Sequence, residues 1–305
     1  KILTENPFPI IDDILLLPNA WRSRLISTYG EEKTREIARS SLKQAPIDLT
    51  IKTNLSKEEI EEIINEFGGE LIGDTSIRIP NLPEGFQEFP SWKSGKLWVQ
   101  DLAASLPAKI LAPQKGEEVL DMCAAPGGKT MQLAGSFAKV TAIDISDDRM
   151  KMVAQNLART GLYAKLLSGN AKNLIEGSNY DAILLDAPCS ATGTIRRNLE
   201  SLWIKTAFDL PKLFNIQAEL LTAAASALKP NGRLIYAVCS LEPEEGDLAI
   251  NKALELGLKI DPIKADEIFG LNDAIEDRGT ARIMPYMMAQ KGGMDGFFIA
   301  RFIKA

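Results

Sequence analysis

The sequence predicts an α/β protein built on a mostly parallel, doubly wound sheet. Three observations carry this prediction. From about residue 95 to the C-terminus, strand-like and helix-like segments alternate at a spacing that suits parallel strands joined by helices. A bend rich in small residues follows the first of those strands. All three cysteines fall at the predicted carboxyl ends of strands.

The elements before that region are of two kinds. Residues 1–44 read as helical. Ile10, Ile11, Ile14, Leu15 and Leu17 precede Pro18, and Trp21, Leu25 and Ile26 follow at helical spacing until Gly30 stops the pattern. Residues 31–43 offer another short helix. Helices this short are marginal alone, so the segment is too little for a stable bundle. Residues 48–53 alternate like a strand. Ser56 and Glu59 form a capping-box pattern, and the helix they open ends at Gly68-Gly69. A returning strand over 71–79 completes a small βαβ-type subdomain, bounded by the Pro- and Gly-rich stretch 80–90. Residues 95–111 begin extended and become helical. Strands are then expected at 118–122, 139–145, 164–167, 180–185 and 233–238. Helices are expected at 147–159, 208–228 and 244–256, and late strands at 282–284 and 296–302.

Composition narrows the function. The chain has 305 residues, 45% of them apolar, enough for one large domain and a smaller one. No apolar run is long enough to cross a bilayer, and no basic segment precedes an apolar one as in a signal peptide. The start at Lys1 suggests a trimmed piece of a longer chain. A net charge of −6 argues against binding by bulk positive charge, so a nucleic-acid partner would need a local basic surface. Three cysteines with no CxxC pair indicate neither a disulfide framework nor a structural zinc site, and they fit a reducing cytoplasm. The absence of histidine removes Ser-His and Cys-His hydrolases and most transition-metal sites.

The bend Asp121-Met122-Cys123-Ala124-Ala125-Pro126-Gly127-Gly128-Lys129-Thr130 sits where a strand turns into a helix. Its small residues let backbone approach a ligand closely. In an open parallel sheet, ligands bind beyond the carboxyl ends of the strands. A P-loop would need glycine at position 123, where Cys123 stands, and Gly-x-Gly-x-x-Gly is absent, so neither phosphate motif is matched. Asp144 ends the next strand, where an acid can take the ribose hydroxyls of an adenosine-bearing cofactor. An ordinary tight turn and a helix-start acid are the plainer readings of these two features. Their occurrence at adjacent strand ends favours a cofactor.

Cys189 lies in Asp186-Ala187-Pro188-Cys189-Ser190 and Cys239 in Tyr236-Ala237-Val238-Cys239-Ser240. A single cysteine is more often core than reactive. Three at one rim of a sheet lie where loops carry chemistry on a rigid scaffold. These segments, together with Trp98-Val99-Gln100-Asp101, Gly193-Thr194 and Asp295-Gly296-Phe297-Phe298, resemble in content and order the Sun (RsmB-like) family of RNA 5-methylcytosine methyltransferases. The likeness runs from about residue 90 to the end, and its motifs together are highly specific.

The resemblance implies a Rossmann-like S-adenosylmethionine methyltransferase domain over 89–305. It also implies a small RNA-binding subdomain over 47–88 and, over 1–46, the tail of a NusB-like helical domain. Cys123, Ala124, Ala125, Pro126, Gly127, Gly128 and Lys129 would contact the methionine part of S-adenosyl-L-methionine. Asp144 would bind the ribose with Arg149 nearby, Asn170 would lie near the adenine, and Asp186 would face both cofactor and target base. Cys239 would be the nucleophile, and Cys189 would help release product. Asn170 stands where the family usually has Asp; an amide can still hydrogen-bond adenine. Ala237-Val238 replaces a hydroxyl-bearing pair, and Tyr286 stands where His is frequent.

The implied reaction explains the residue types. Carbon 5 of cytosine is a weak nucleophile, and thiolate addition at carbon 6 makes it enamine-like. Asp186 could hold a proton at N3, and Cys189 or a water could take the carbon-5 proton. The base must leave its stack, and Arg196, Arg197, Asn198, Trp203 and Lys205 could line the approach, with Trp203 equally a core candidate. The expected substrate is RNA, 16S ribosomal RNA ahead of transfer RNA, acted on by a cytoplasmic monomer without a metal. A P-loop-like hydrolase and a non-catalytic RNA-binding or ribosome-assembly module are the competing readings.

Overall fold

A computed structural model describes residues 12–204 and 209–305. The predicted helical positions Ile10 and Ile11, the candidate RNA contact Lys205 and the expected helix start at 208 lie outside these residues. Helix α1, Asn19–Ser40, is broken at Gly30, whose φ of 80° only glycine adopts at little cost, so the predicted stop is a kink between two helices. Trp21 and Leu25 before the kink and Ile37 and Ala38 after it bury against Leu202, Leu241 and Met284. Three bonds fix this contact. Trp21 Nε1 donates to the Leu202 carbonyl at 3.0 Å, Tyr29 Oη to the Leu241 carbonyl at 2.6 Å, and Arg24 Nε to Glu242 at 2.6 Å. The helical segment is thereby clamped to the turn that follows Cys239.

A small sheet comprises β1 (Ile47–Ile51), β2 (Glu70–Ile72), β3 (Ser76–Ile79) and β4 (Leu97–Val99) in the order β2-β3-β1-β4. All neighbours are antiparallel. Helix α2, Lys57–Phe67, starts with the predicted capping box, Ser56 accepting from Glu59 N and Glu59 from Ser56 N, and ends at left-handed Gly68. Two expectations change here. The single strand over 71–79 is a hairpin, because Gly73 at φ 63° supplies the turn. The βαβ unit is therefore split: β3 folds back and inserts between β1 and β2. The sheet also takes its fourth strand, β4, from beyond the boundary expected at residue 88.

The large sheet contains β5 (Glu118–Met122), β6 (Lys139–Asp144), β7 (Lys165–Ser168), β8 (Tyr180–Asp186), β9 (Leu228–Val238), β10 (Leu258–Ile260), β11 (Ala281–Ile283) and β12 (Phe297–Lys304). Its order is β10-β12-β9-β8-β5-β6-β7, with β11 also paired to β12. Strands β5 to β9 pair in parallel, and β10, β11 and β12 add antiparallel partners. Helices α3 (Leu102–Leu111), α4 (Gly128–Gly135), α5 (Asp147–Thr160), α6 (Leu210–Ala227) and α7 (Pro243–Glu255) complete it. Central strands are covered on both faces. Ala182 and Leu184 of β8 join one core and Ile183 and Leu185 the other, so the strand reads as an unbroken apolar run. Strand order reverses at β5, which has β6 on one side and β8 on the other, and a crevice opens at the carboxyl ends there. Among the described residues, no helix is long and apolar enough to cross a membrane.

Candidate active site

The Gly-rich bend follows β5 and is held from three sides. Ala124 N donates to the Ile143 carbonyl (3.0 Å), Ala125 N to Asp144 Oδ2 (3.2 Å), and Arg149 Nη2 to the Ala125 carbonyl (2.6 Å). Cys123 (φ 62°) and Gly127 (φ 101°) both turn the backbone into the left-handed region. A Cβ on Gly127 would press on Val153 of α5 at 3.1 Å. The bend and the end of β6 are thus one rigid wall. Asp144 is buried, and its Oδ1 accepts from Ser146 N at 3.0 Å.

A cavity of about 710 Å³ opens beside this wall. Of the predicted residues, Cys123, Ala125, Asp144, Arg149, Asn170, Asp186, Cys189 and Cys239 line it. Ala124, Pro126, Gly127, Gly128 and Lys129 do not; they form the backing of the bend. Lys129 reaches the cavity indirectly, through an ion pair of its Nζ to Asp186 Oδ2 at 2.7 Å. Burial works against the Lys129 charge, but the charge and hydrogen bond of Asp186, helped by Asp121 and Cys239, together raise the ammonium above its ordinary value. Behind them Asp121 accepts from Thr130 Oγ1 at 2.6 Å, and burial pushes its carboxyl up to about 7.

The sulfurs of Cys189 and Cys239 lie 3.4 Å apart. The hydrogen bond with Cys239, then burial, raises the Cys189 thiol well above its usual range, which favours its protonated form. Burial likewise pushes Cys123, which lines the cavity wall, up to about 12, and this favours its thiol form. The cavity has the size of a site for a small organic molecule. A carboxylate with unused lone pairs stands at one end, an amide at Asn170, and a sulfur pair at the other. Exposed Ile145 adds an apolar edge. This donor set fits an adenosine-bearing methyl donor.

One expectation about the approach to the site is corrected, and one open alternative is decided. Arg196 is 4% exposed and pairs with Asp101 and, at 3.1 Å, with Asp295, so it is an internal tie and not an RNA contact. Trp203 is 69% exposed and does not belong to the core. Arg197 pairs with Asp295 at 2.8 Å yet keeps about half of its side chain in solvent. Tyr286 lines a different cavity of about 930 Å³ between α1 and β11, in which Glu36, Asp247, Asp273 and Glu276 outnumber Lys33 and Arg282. Sequence reasoning missed a buried group, Glu245, which accepts from Ser190, Gln217 and Ser240.

A family model described as 16S rRNA methyltransferase RsmB/F matches residues 108–303, more than half of the chain. Similar curated proteins include ribosomal RNA small subunit methyltransferase B of Vibrio cholerae serotype O1, 37% identical over 77% of this chain and 56% of that protein. Its namesake in Escherichia coli O1:K1 is 33% identical over 96% of this chain and 67% of that protein. The chain spans about half to two thirds of the length of such relatives. A solved methyltransferase homologue from Pyrococcus horikoshii is 28% identical with a TM-score of 0.79, over 98% of this chain and 100% of that one. NSun6 from Pyrococcus horikoshii, solved with SFG, shares the fold at 19% identity and a TM-score of 0.78, over 94% and 98% of the two chains. The sulfur pair, the rigid bend and these matches converge, and the chain belongs to the RsmB/F family of S-adenosylmethionine-dependent methyltransferases.

Proposed function

We propose that the chain methylates carbon 5 of a cytosine in RNA, 16S ribosomal RNA, through a covalent bond from Cys239 Sγ to carbon 6 of the base. The observation that carries this reading is the Cys189–Cys239 pair, 3.4 Å apart on the wall of a cavity that extends to Asp144. S-adenosylmethionine, when bound, supplies an electrophilic methyl group. Cys123, Ala125 and Asp144 would hold it, with Arg149 and Asn170 beside them.

Cys239 adds as a thiolate to carbon 6, and the electron pair of the 5,6 double bond moves to make carbon 5 nucleophilic. Asp186, which accepts from Lys129, is read as relaying a proton from the Lys129 ammonium to N3 of the base as the thiolate adds and returning it on release, so that negative charge does not collect there. Once carbon 5 carries the methyl group, its proton leaves to water and the carbon 6–sulfur bond breaks. Cys189, kept protonated, donates to the departing Cys239 sulfur. Arg197 and exposed Trp203 offer a charge and a stacking face on the approach. The small four-stranded sheet with α2 is read as an RNA-binding subdomain, and the reaction as a cytoplasmic one.

The test uses unmodified 16S ribosomal RNA, S-adenosylmethionine and bisulfite sequencing. The wild type should leave one or more protected cytosines, and Cys239→Ala none. Methylation by Cys239→Ala at the wild-type rate would sink the covalent mechanism. Cys189→Ala should leave a protein–RNA adduct that survives a denaturing gel; its absence would remove the release role.

A further inference from the structure

The two cysteine loops come from strands 50 residues apart in sequence, yet their sulfurs are in contact. Beside the direct bonds from Gly193 N to the Cys239 carbonyl and from Leu241 N to Thr192 Oγ1, one side chain bonds to the residue after each cysteine. Glu245, on the first turn of α7, is 0% exposed. Its Oε1 accepts from Ser190 N at 3.0 Å and from Gln217 Nε2 at 2.8 Å. Its Oε2 accepts from Ser190 Oγ at 2.5 Å and from Ser240 Oγ. Ser190 directly follows Cys189, and Ser240 directly follows Cys239. Gln217 Nε2 also donates to the Pro188 carbonyl at 2.9 Å, so the residues on both sides of Cys189 are tied to this carboxylate. Ser240 Oγ and Ser190 Oγ lie 2.9 Å apart, and Tyr236 Oη donates to the Glu245 carbonyl at 2.8 Å. The partners of the carboxylate are hydroxyls, an amide and a backbone N–H rather than a cation.

We propose that Glu245 is a positioning residue whose buried carboxylate locks the loop after β8 to the turn after β9 and so holds the Cys189 and Cys239 sulfurs in register. The proposal rests on the cysteine roles given above, since only they make that register useful. A carboxylate suits the task because it accepts from several donors at once and has no proton of its own to satisfy. Glutamine at this position can keep Ser190 N and Gln217 on its oxygen, but its NH₂ replaces Oε2, so both serine hydroxyls must turn round to accept and the carboxylate charge that strengthens these bonds is lost. Its charge also contributes to keeping the Cys189 thiol protonated, behind the larger effects of Cys239 and burial.

The test reads sulfur geometry without relying on methylation. The full chain is treated with diamide, an azo oxidant that takes up the two protons and two electrons released as two thiols join. Peptide mapping follows the Cys189–Cys239 disulfide and separates it from any product of Cys123. Glu245→Gln should form that disulfide about tenfold more slowly than wild type. In the methylation assay its kcat should fall by about tenfold or more, with KM for RNA and affinity for S-adenosylmethionine within about twofold, because misplacement of reacting atoms lowers kcat selectively. Wild-type disulfide and methylation rates in a variant that merely melts earlier would overturn the proposal. If Glu245→Gln does not fold, Ser190→Ala and Ser240→Ala each remove one tie and keep the carboxylate. Slower disulfide formation in both supports the lock, and unchanged rates in both overturn it. A wild-type protein that methylates no RNA would defeat the proposed function, while the disulfide rates would still decide the role of Glu245.

Discussion

At the scale of single residues, burial decides what each acid in the site can do. Asp144 and Asp186 bound the cavity, while Asp121 sits behind it with no exposure and one oxygen, Oδ1, lacking a hydrogen-bond partner. Burial therefore lifts Asp121 from 3.8 to about 7, with Thr130 and Lys129 only partly opposing the rise. Its folded-state value lies above its unfolded one, so between about pH 4 and pH 7 the folded protein keeps a proton that the unfolded chain has lost. Stability from this group therefore falls as pH rises through that window. Asp121→Asn keeps an acceptor for Thr130 and abolishes the titration. Melting temperature relative to wild type should thus rise for the variant between about pH 5 and pH 8. A constant difference across that range would show that Asp121 does not titrate there. Among the residues, the cysteines and Asp144 were legible in the sequence because apolar runs marked the strands they end. Glu245 was not, because Pro243-Glu244-Glu245 reads as the solvated start of a helix. Its burial comes from Ser190 and Gln217, which are distant in sequence. Arg196 misled for the same reason: a charge pair in a loop looks solvated until Asp101 and Asp295 close on it.

At the scale of elements, the loop after β8 and the bend before β12 pass each other at glycines. Gly193 N donates to the Cys239 carbonyl at 3.0 Å, and Gly296 N to the Gly193 carbonyl at 2.8 Å. A Cβ on Gly193 would run into the backbone of Gly296 and of Cys239. Because backbone rather than a side-chain tip stands in the way, the loop must move to admit it. Gly193→Ala should cost about 1–3 kcal/mol in urea unfolding, as overpacked substitutions do. It should also slow methylation by about tenfold or more, by shifting the turn that carries Cys239. Unfolding and activity both at wild-type levels would mean that the two loops are free to part. Sequence reasoning placed Gly193 in a motif and Gly296 at the start of a late strand without their contact, because close approach of two chain segments leaves no local signature. Periodicity likewise missed β10, where three residues, Leu258–Ile260, are too few to alternate. It also read β2 and β3 as one strand. By contrast, the Ser56–Glu59 capping box and the Gly30 break were legible, being local chemistry within a few residues.

At the scale of the whole molecule, a buried ion pair inside the small sheet also reaches the large domain. Arg78 of β3 grips Asp48 of β1 through two bonds, of 2.7 and 2.8 Å, and its Nη1 donates to the Gly293 carbonyl at 2.7 Å. The same Asp48 accepts from Leu102 N, at the start of α3, at 2.9 Å. One pair thus links the small sheet, the first helix of the large domain and the loop leading into β12. Burial raises the Asp48 carboxyl, with Arg78 opposing it, so the aspartate depends on its partner to stay ionised. Arg78→Met removes that partner, keeps most of the side-chain volume and leaves an uncompensated buried acid, a change that costs about 3–5 kcal/mol near neutral pH. Without Arg78 the folded-state value of Asp48 rises further above its unfolded one, and the deficit should shrink as pH falls and the acid takes up a proton. Urea unfolding of wild type and variant at about pH 7.5 and pH 5 measures both quantities. A loss under about 1 kcal/mol at the higher pH would mean that water has replaced the guanidinium and that the two sheets are joined by their apolar contacts instead.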